Sequence, residues 1–259
     1  MHLGIIGYGN IATSLLARLT DPRISRITVL VRPGRDAHGG TSDIRFVTEL
    51  DALIAGRPDL VVECAGHGAV ASFAPALLRA GHDVVIASVG ALADRTLHAQ
   101  INEAAAQGGA MAILPNGAIG GLDMLRVLTA SGPVDVTYRG TKPPEAWRGS
   151  PAEAAVDLGG LREATTFFCG TGREAALAYP KNANVVAALA LAGAGFDRMR
   201  VELVADPQAT ANQHSYRVDA PDCQYSMVIE AKGSAGNART SVTTVLSILQ
   251  EISAYQVRP

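Results

Sequence analysis

Cysteine is scarce in this sequence, and basic residues are not in excess. The three cysteines, Cys64, Cys169 and Cys223, lie far apart and form no C-x-x-C pair. That spacing suits neither a disulfide framework nor a zinc site, so we expect a reducing, cytoplasmic environment. Lys and Arg number 22 against 24 Asp and Glu, for a net charge of -2. This leaves no surplus of positive charge to neutralise phosphates, which argues against a nucleic-acid partner.

Signals for metal binding and for export are also missing. No group of His, Asp and Glu residues has the spacing of metal ligands, so we predict no metal. Residues 1–7 lack a basic stretch followed by a long apolar run, so we expect no signal peptide. The most apolar later stretch, 184–196, is too short to cross a bilayer. We therefore expect a soluble protein without a membrane partner.

The composition that remains is globular. The chain has 259 residues, of which 48% are apolar and 18% charged, enough for two modest domains. Its first third alternates β-rich and helical runs. The β-rich runs fall at 3–6, 27–31, 44–47, 60–63, 84–87 and 110–114, and the helical runs at 11–19, 70–80 and 94–107. This alternation predicts βαβ units and an α/β domain over 1–114 with a doubly wound, mostly parallel sheet.

The pattern changes near Pro115. Residues 115–239 carry β-rich runs with helices segregated from them, which predicts a C-terminal α+β domain. We place its strands at 134–139, 200–205, 214–218 and 225–231, and its helices at 121–130 and 184–194. The final segment, 240–259, carries apolar residues at helical spacing, so we expect it to be an amphipathic helix.

A glycine-rich motif joins the first predicted strand to the first helix. It reads Gly7-Tyr8-Gly9-Asn10-Ile11-Ala12, which is the G-x-G-x-x-G/A pattern of dinucleotide-binding Rossmann domains. Gly7 permits a tight turn, Gly9 lets the backbone approach a pyrophosphate, and the N–H groups of Asn10 and Ile11 open the helix toward it. The alternative is an ordinary glycine-rich turn, but its place within βαβ units favours binding of NAD or NADP.

Arg32 bears on the choice of dinucleotide. A strictly NAD-dependent domain carries an acidic residue at the end of its second strand, where the carboxylate accepts from the ribose 2′-OH. Here the strand runs into Val31-Arg32-Pro33-Gly34-Arg35. The guanidinium of Arg32 is suited to a 2′-phosphate, so we expect NADP to be accepted alongside NAD. The alternative is a solvated arginine that only stacks on the adenine.

Six downstream segments extend the pattern beyond the fingerprint. They are L-P-N-G-A-I-G-G-L-D at 114–123, K-P-P at 142–144, Y-P-K-N-A-N-V at 179–185, the run 187–195, A-D-P at 205–207 and N-Q-H at 212–214. Together with the glycine fingerprint, segments in this order span residues 7–214, which is most of the chain. On these segments, the sequence resembles the L-aspartate dehydrogenase family.

The resemblance implies a reversible oxidative deamination. In that reaction a hydride passes from the α-carbon of L-aspartate to NAD or NADP, and the iminoaspartate hydrolyses to oxaloacetate and ammonia. It also implies a second domain that binds substrate and forms a homodimer, and a C-terminal helix over 240–259 that packs back on the first domain. The product would serve NAD biosynthesis, or the reaction would serve aspartate catabolism.

The resemblance also assigns residues to roles. The family's catalytic histidine matches His214, and histidine has the pKa range suited to moving a proton near neutral pH. The family's cofactor contacts match Ala118 and, in the Y-P-K-N-A-N segment, Asn184. The sequence departs from the family at 237–241, where N-A-R-T-S stands for N-P-K-T-S, and at Asn116, where Ser is common. Neither departure removes the acid/base group.

Further candidates follow from the charge of the expected substrate. L-aspartate carries two carboxylates, so a cation is needed, and Lys142 and Lys181 lie in family-like segments with Asn182 beside the second. Each lysine is otherwise a solvated surface residue. His67 follows the fourth strand, at the edge of the sheet that holds the cofactor. A lone histidine is more often structural, and only the resemblance favours His214 over this reading.

Other enzymes and one non-enzymatic class remain open at this point. Homoserine dehydrogenase, dihydrodipicolinate reductase and sugar dehydrogenases of the inositol type combine the same two kinds of domain. The sugar enzymes usually carry Lys-Pro after the fifth strand, whereas this chain has A-S-V-G at 87–90. A non-catalytic dinucleotide sensor would keep the glycine fingerprint but would have little need of the polar segment 181–184.

Overall fold

The computed structural model describes residues 1–34, 44–180, 183–231, 233–234 and 237–256. The chain divides into two compact units. The first unit comprises Met1–Pro115 and Val245–Pro259, and the second unit comprises Asn116–Thr244. Within the described ranges, no helix has the length and apolar character needed to cross a membrane.

The first unit is built around a six-stranded sheet. Its elements are β1 (His2–Ile6), α1 (Asn10–Leu16), β2 (Arg26–Leu30), β3 (Ile44–Val47), α2 (Leu50–Ala55), β4 (Leu60–Glu63), α3 (His67–Arg79), β5 (Asp83–Ile86), a 3₁₀ helix (Val89–Ala93), α4 (Arg95–Gly108) and β6 (Ala112–Ile113). The strand order is β3-β2-β1-β4-β5-β6, and all the pairs are parallel. This is the order of a Rossmann domain, so the predicted doubly wound sheet is confirmed.

The strand order indicates where a ligand-binding crevice lies in the first unit. The chain leaves β1 toward β2 and β3 on one side, and β4 lies on the other side of β1. In open α/β sheets, ligands bind at the carboxyl ends of the strands at such a reversal. Strands β1 and β4 are buried along their whole length, as expected for a parallel sheet covered on both faces. The loops that follow β1 and β4, and not the strands themselves, are therefore available to a ligand at this point.

The second unit contains a mixed sheet with helices. Its elements are α5 (Leu122–Leu128), a 3₁₀ helix (Thr129–Ser131), β7 (Asp135–Lys142), α6 (Pro144–Trp147), α7 (Ala152–Ala155), β8 (Thr165–Thr171), α8 (Gly172–Ala178), α9 (Asn184–Leu189), a π-helical segment (Ala190–Ala194), β9 (Arg200–Ala205), β10 (Asn212–Asp219), β11 (Gln224–Ala231), β12 (Gly233–Ser234), β13 (Asn237–Ser241) and the start of α10 (Val242–Ala254). The five-stranded sheet has the order β11-β10-β7-β9-β8. β7 and β9 are parallel, and the other pairs are antiparallel. The predicted α+β class is confirmed.

Strand β7 is longer than predicted. We expected it to end at Arg139, but the strand continues through Gly140 and Thr141 to Lys142. It ends there because Pro143 has no N–H to contribute to the sheet. The extension makes Lys142 a buried strand residue, only 8% exposed, instead of a solvated one.

Helix α10 completes the core of the first unit. Its apolar stripe packs against the sheet through Val245, Ile248 and Ile252. The guanidinium of Arg23 donates to the carbonyl oxygens of Ser253 at 2.9 Å and Tyr255 at 3.1 Å, where a cation complements the helix dipole. The hydroxyl of Tyr255 donates to the carboxylate of Asp83 at 2.9 Å. These contacts hold residues 253–255 against the sheet of the first unit.

Candidate active site

The loop after β1 has a geometry that only glycine suits. Gly7 has a φ of +94° and donates its N–H to the carbonyl oxygen of Leu30 at 2.9 Å. A Cβ at this position would lie 2.8 Å from the Cβ of Ala65. Side chains rarely adopt that φ and would not fit that gap. The turn predicted from the fingerprint is therefore built as expected.

The same loop leaves the start of α1 open. Gly9 occupies the N-cap position and, having no side chain, supplies no capping hydrogen bond; no other described side chain caps this end. A Cβ on Gly9 would meet nothing within 4 Å. The exposed Asn10 and the half-buried Ile11 form the first turn, whose N–H groups have no partner within the helix. Such a helix start suits an anion.

A cavity of about 470 Å³ adjoins this loop. Its lining residues are Ile6, Gly7, Tyr8, Gly9, Leu30, Val31, Arg32, Pro33, Thr48, Cys64, Ala65, Gly68, Ala69, Ser72 and Phe73. Arg32 is exposed and is the cationic residue among them. An apolar cavity with one guanidinium beside an open helix start fits a dinucleotide, whose phosphates need N–H donors and whose base needs apolar contact.

A buried carboxylate that the fingerprint does not predict holds the loops of this cleft. Glu63, the last residue of β4, is fully buried. Its Oε1 accepts from the N–H groups of Ala65 at 2.7 Å and Gly66 at 2.8 Å and from the hydroxyl of Ser88 at 3.0 Å, while Oε2 accepts from the Ser88 N–H at 3.0 Å. Burial raises the pKa of Glu63, and these donors oppose the rise. Glu63 thus ties the loop after β4 to the loop after β5.

His67 lies near the same loop but does not line the cavity. It is the first residue of α3 and is half-buried. It lies four positions after Glu63, the last residue of β4, and so at the edge of the sheet at which we expected it. The structure therefore brings Gly7, Gly9 and Arg32 to one cavity and leaves His67 beside it.

The second unit positions His214 by strand register. His214 on β10 pairs with Gly140 on β7, and the burial pattern of both strands alternates, so Tyr138, Gly140 and Lys142 share one face with His214. A Cβ on Gly140 would lie 2.7 Å from the hydroxyl oxygen of Tyr138. The absence of a side chain at Gly140 therefore lets the Tyr138 ring extend along the strand toward the histidine.

Tyr138 and His214 form a buried hydrogen-bonded pair. The hydroxyl oxygen of Tyr138 lies 2.7 Å from Nδ1 of His214, and the rings stack at a centroid distance of 6.1 Å. Burial and, second to it, the positive charge of Lys142 together lower the pKa of His214 to about 4. Burial also raises the pKa of Tyr138. Both side chains are therefore neutral at physiological pH.

Lys142 is a buried cation beside this pair. Burial lowers its pKa to about 8. Its Nζ lies 5.1 Å from the ring centroid of Trp147, a fully buried residue whose Nε1 donates to the carbonyl oxygen of Val204 at 3.0 Å. The face of an indole ring attracts a cation, so the ring stabilises the ammonium that burial disfavours. The site thus combines a neutral histidine with a lysine whose charge is easily removed.

The other predicted contacts lie in the same unit. Ala118 is half-buried in the loop before α5, and two tyrosine hydroxyls hold that loop: Tyr216 donates to the carbonyl oxygen of Gly120 at 2.7 Å, and Tyr225 to that of Gly121 at 3.1 Å. Asn184 is exposed and begins α9. Lys181 and Asn182 lie outside the described residues.

Four residues of the candidate site were not predicted from the sequence: Glu63, Ser88, Tyr138 and Trp147. A signal existed for Glu63, because a carboxylate closing an apolar strand of a parallel sheet has to be buried with its own donors. A weaker signal existed for Tyr138, an aromatic residue two positions from a glycine on the same strand. Nothing in the sequence indicates that Ser88 or Trp147 would meet these groups.

The two halves of the chain match two different protein-family models. Residues 7–115 match the family model described as homoserine dehydrogenase, NAD binding domain. Residues 123–255 match the model described as aspartate dehydrogenase, C-terminal. The chain is also 44% identical over 251 residues to the L-aspartate dehydrogenase of Ruegeria pomeroyi, covering 96% of this chain and 90% of that protein. The chain belongs to the aspartate dehydrogenase family.

Two further relatives agree with this membership of the aspartate dehydrogenase family. L-aspartate dehydrogenase 2 of Bordetella bronchiseptica is 40% identical, over 99% of this chain and 97% of that protein. The crystal structure of aspartate dehydrogenase from Thermotoga maritima superposes with a TM-score of 0.77 at 27% identity, over 100% and 99% of the two chains. A dihydrodipicolinate reductase from Paenisporosarcina, at 12% identity and a TM-score of 0.54, shares the fold alone. The predicted family is confirmed.

Proposed function

We propose that this chain catalyses the NAD- or NADP-dependent, reversible oxidative deamination of L-aspartate in the cytoplasm. The products would be iminoaspartate and, after hydrolysis, oxaloacetate and ammonia. The observation that carries the proposal is that His214 and Lys142 are both buried on the same sheet and interact electrostatically, which supplies both a proton-carrying group and a cation. L-aspartate, with two carboxylates and an amine, requires both.

The nicotinamide cofactor, when bound, supplies the hydride acceptor. The backbone N–H groups of Asn10 and Ile11 would receive its phosphates, with Gly7 and Gly9 allowing the close approach. Ala118 and Asn184 would contribute further cofactor contacts. Arg32 would pair with the 2′-phosphate of NADP through its guanidinium, which supports use of both dinucleotides.

Substrate contacts fall to cationic and polar groups. The ammonium of Lys142 would bind a carboxylate, because the buried site strengthens a charge pair that water would weaken. Lys181, Asn182 and His67 remain candidates for the second carboxylate or the amine. His214 would exchange a proton with the reacting amine or water, as its neutral form at pH 7 permits.

The reaction is tested by oxidation of reduced cofactor. NADH and NADPH are supplied in parallel with oxaloacetate and ammonium together, and then with each alone. Oxidation that requires both substrates supports reductive amination, whereas oxidation with oxaloacetate alone would indicate a hydroxy-acid dehydrogenase. Absence of turnover with cofactor still bound would favour a dinucleotide sensor.

The role of His214 is tested by His214→Ala. We expect loss of turnover with unchanged affinity for NADH, since His214 belongs to the second unit and the phosphate-binding loop to the first. His98→Ala is the matched control, because His98 is a half-buried helix residue remote in sequence from every candidate. Equal turnover of His214→Ala and the control would remove His214 from the mechanism.

Arg32→Ala tests whether Arg32 binds the 2′-phosphate of NADP. We expect it to weaken NADPH binding by about tenfold or more and NADH binding little, since a charged hydrogen bond contributes about 1.5–3 kcal/mol. Arg18→Ala, which removes an exposed arginine whose guanidinium donates to Ser14, controls for net charge. Equal loss of both dinucleotides would assign Arg32 to the adenine or the common ribose.

We further propose that the chain forms a homodimer through its second unit. The support is the family resemblance of segments 114–123 and 179–185. Light scattering coupled to size exclusion measures the mass directly. A mass equal to the 26.8 kDa chain at working concentration would contradict the dimer.

A further inference from the structure

The hydroxyl of Tyr138 has a restricted choice of hydrogen-bond partners. The Tyr138 side chain is 1% exposed, and Nδ1 of His214, at 2.7 Å, is its hydrogen-bond partner within the described part of the chain. A phenol carries one hydrogen, which it either donates to Nδ1 or directs elsewhere. Since the hydroxyl is shielded from water, the choice of direction has a large energetic consequence.

The direction of this hydrogen bond follows from the burial. If Nδ1 of His214 carried the proton and donated it, the hydrogen of Tyr138 would be buried without an acceptor among the residues that the structure describes. If the hydroxyl donates instead, both groups are satisfied and the imidazole proton resides on Nε2. A neutral imidazole has one N–H only, so the bond at Nδ1 sets the tautomer.

The surroundings keep the imidazole neutral, so the tautomer is the relevant variable. Lys142 brings a positive charge from the same strand as Tyr138, which opposes a second proton on His214. On the other side of His214, the register partner is the apolar Ile229 of β11. Gly140, directly opposite on β7, carries no side chain. Tyr138 is thus the residue that distinguishes the two ring nitrogens.

We propose that Tyr138 is a positioning residue that holds neutral His214 in the tautomer protonated at Nε2, so that His214 meets the substrate as a hydrogen-bond donor. The inference rests on the proposed function, in which His214 acts on the substrate. It specifies hydrogen-bond donation from Nε2 as the resting state of His214. Nε2 could accept a proton from the substrate only after the imidazole proton has moved to Nδ1, with the Tyr138 hydroxyl oxygen then accepting from Nδ1.

The tautomer is measured by NMR on the full chain labelled with ¹⁵N-histidine. The ¹⁵N shifts and two-bond couplings of an imidazole separate a protonated from an unprotonated ring nitrogen, and the signals of His214 are those that disappear in His214→Gln. We expect Nδ1 to be unprotonated and Nε2 protonated at pH 7. A protonated Nδ1 in the wild-type protein would overturn the proposal, whether or not any variant folds.

Tyr138→Phe and Tyr255→Phe form the matched pair of variants. Tyr138→Phe removes the donor, so we expect the two tautomers of His214 to mix and kcat to fall by about tenfold, with KM for NADH unchanged. Tyr255→Phe removes a buried hydroxyl from the first unit, where it bonds Asp83, and should leave the His214 signals unchanged. Identical His214 signals in the wild type and Tyr138→Phe would refute the role of Tyr138.

The two proposals fail in different ways. If His214→Ala retained full turnover, the proposed catalytic role would fail, yet the wild-type NMR spectrum would still report the tautomer. If His214→Ala were inactive but the wild-type ring carried its proton on Nδ1, the catalytic role would stand and the inference about Tyr138 would be wrong.

Discussion

His214 should make the folded protein lose stability as the pH falls below neutral. Its pKa is about 4 in the folded protein, against 6.5 for an unperturbed histidine, because burial and then the charge of Lys142 oppose the imidazolium. The unfolded chain therefore takes up the proton at a higher pH than the folded chain does. Stability is retained above about pH 6.5 and is lost as the pH falls toward 4.

The size of this loss follows from the two pKa values. Below both pKa values, the free energy of unfolding has lost the whole contribution of His214, which is about 3 kcal/mol. Between about pH 7.5 and pH 5, the linkage relation gives a loss of about 2 kcal/mol from His214. That is a substantial part of a typical unfolding free energy of about 5–15 kcal/mol.

Urea unfolding of the wild type and of His214→Gln at a series of pH values measures the effect. Other titrating groups cancel in the difference, so the wild type should lose about 2 kcal/mol more than the variant across that range. The glutamine keeps an acceptor for Tyr138 and does not titrate. His98→Gln should follow the wild-type curve. Parallel pH curves for the wild type and His214→Gln would refute the reasoning.

Three further substitutions probe both units. Lys142→Met should raise the pKa of His214, because the lysine charge is one of the two causes that lower it; a histidine NMR titration measures this, and an unchanged pKa would contradict the coupling. Gly7→Ala should destabilise the protein by about 1–3 kcal/mol and weaken NADH binding, since its Cβ would lie 2.8 Å from that of Ala65 at a positive φ. Urea unfolding measures the stability of Gly7→Ala and NADH fluorescence its cofactor binding. Wild-type values in both would show that the loop accommodates the added methyl group without cost. Glu63→Gln places an amide N–H₂ against N–H donors and should cost about 1–3 kcal/mol in urea unfolding; wild-type stability would mean that Glu63 is protonated in the folded protein.

Much of the fold is encoded locally and was predictable. The apolar runs at β1, β4 and β5 have no polar face, which is typical of strands inside a parallel sheet. Strand β8 has no counterpart among the predicted strands. Its residues are all half-buried or exposed, so the apolar alternation that marks the other strands is weak there.

The site was predictable only where local sequence determines it. Gly7 and Gly9 are required by the backbone of one loop, and a motif reports them. The bond between Tyr138 and His214 joins residues 76 positions apart, and it depends on the register of β7 with β10. The buried state of Lys142 depends on the strand continuing past Gly140. Contacts of this kind arise from tertiary pairing, for which a single sequence carries little signal.

The fastening of α10 to the first unit has a consequence for how the protein is made. Arg23 bonds Tyr255 across 232 positions, and the unit that carries the glycine loop is discontinuous in sequence. The ribosome completes residues 116–244 before it delivers the helix that closes the core of the first unit. The second unit can therefore assemble during translation before α10 has been made, whereas the core of the first unit is completed only once α10 is available.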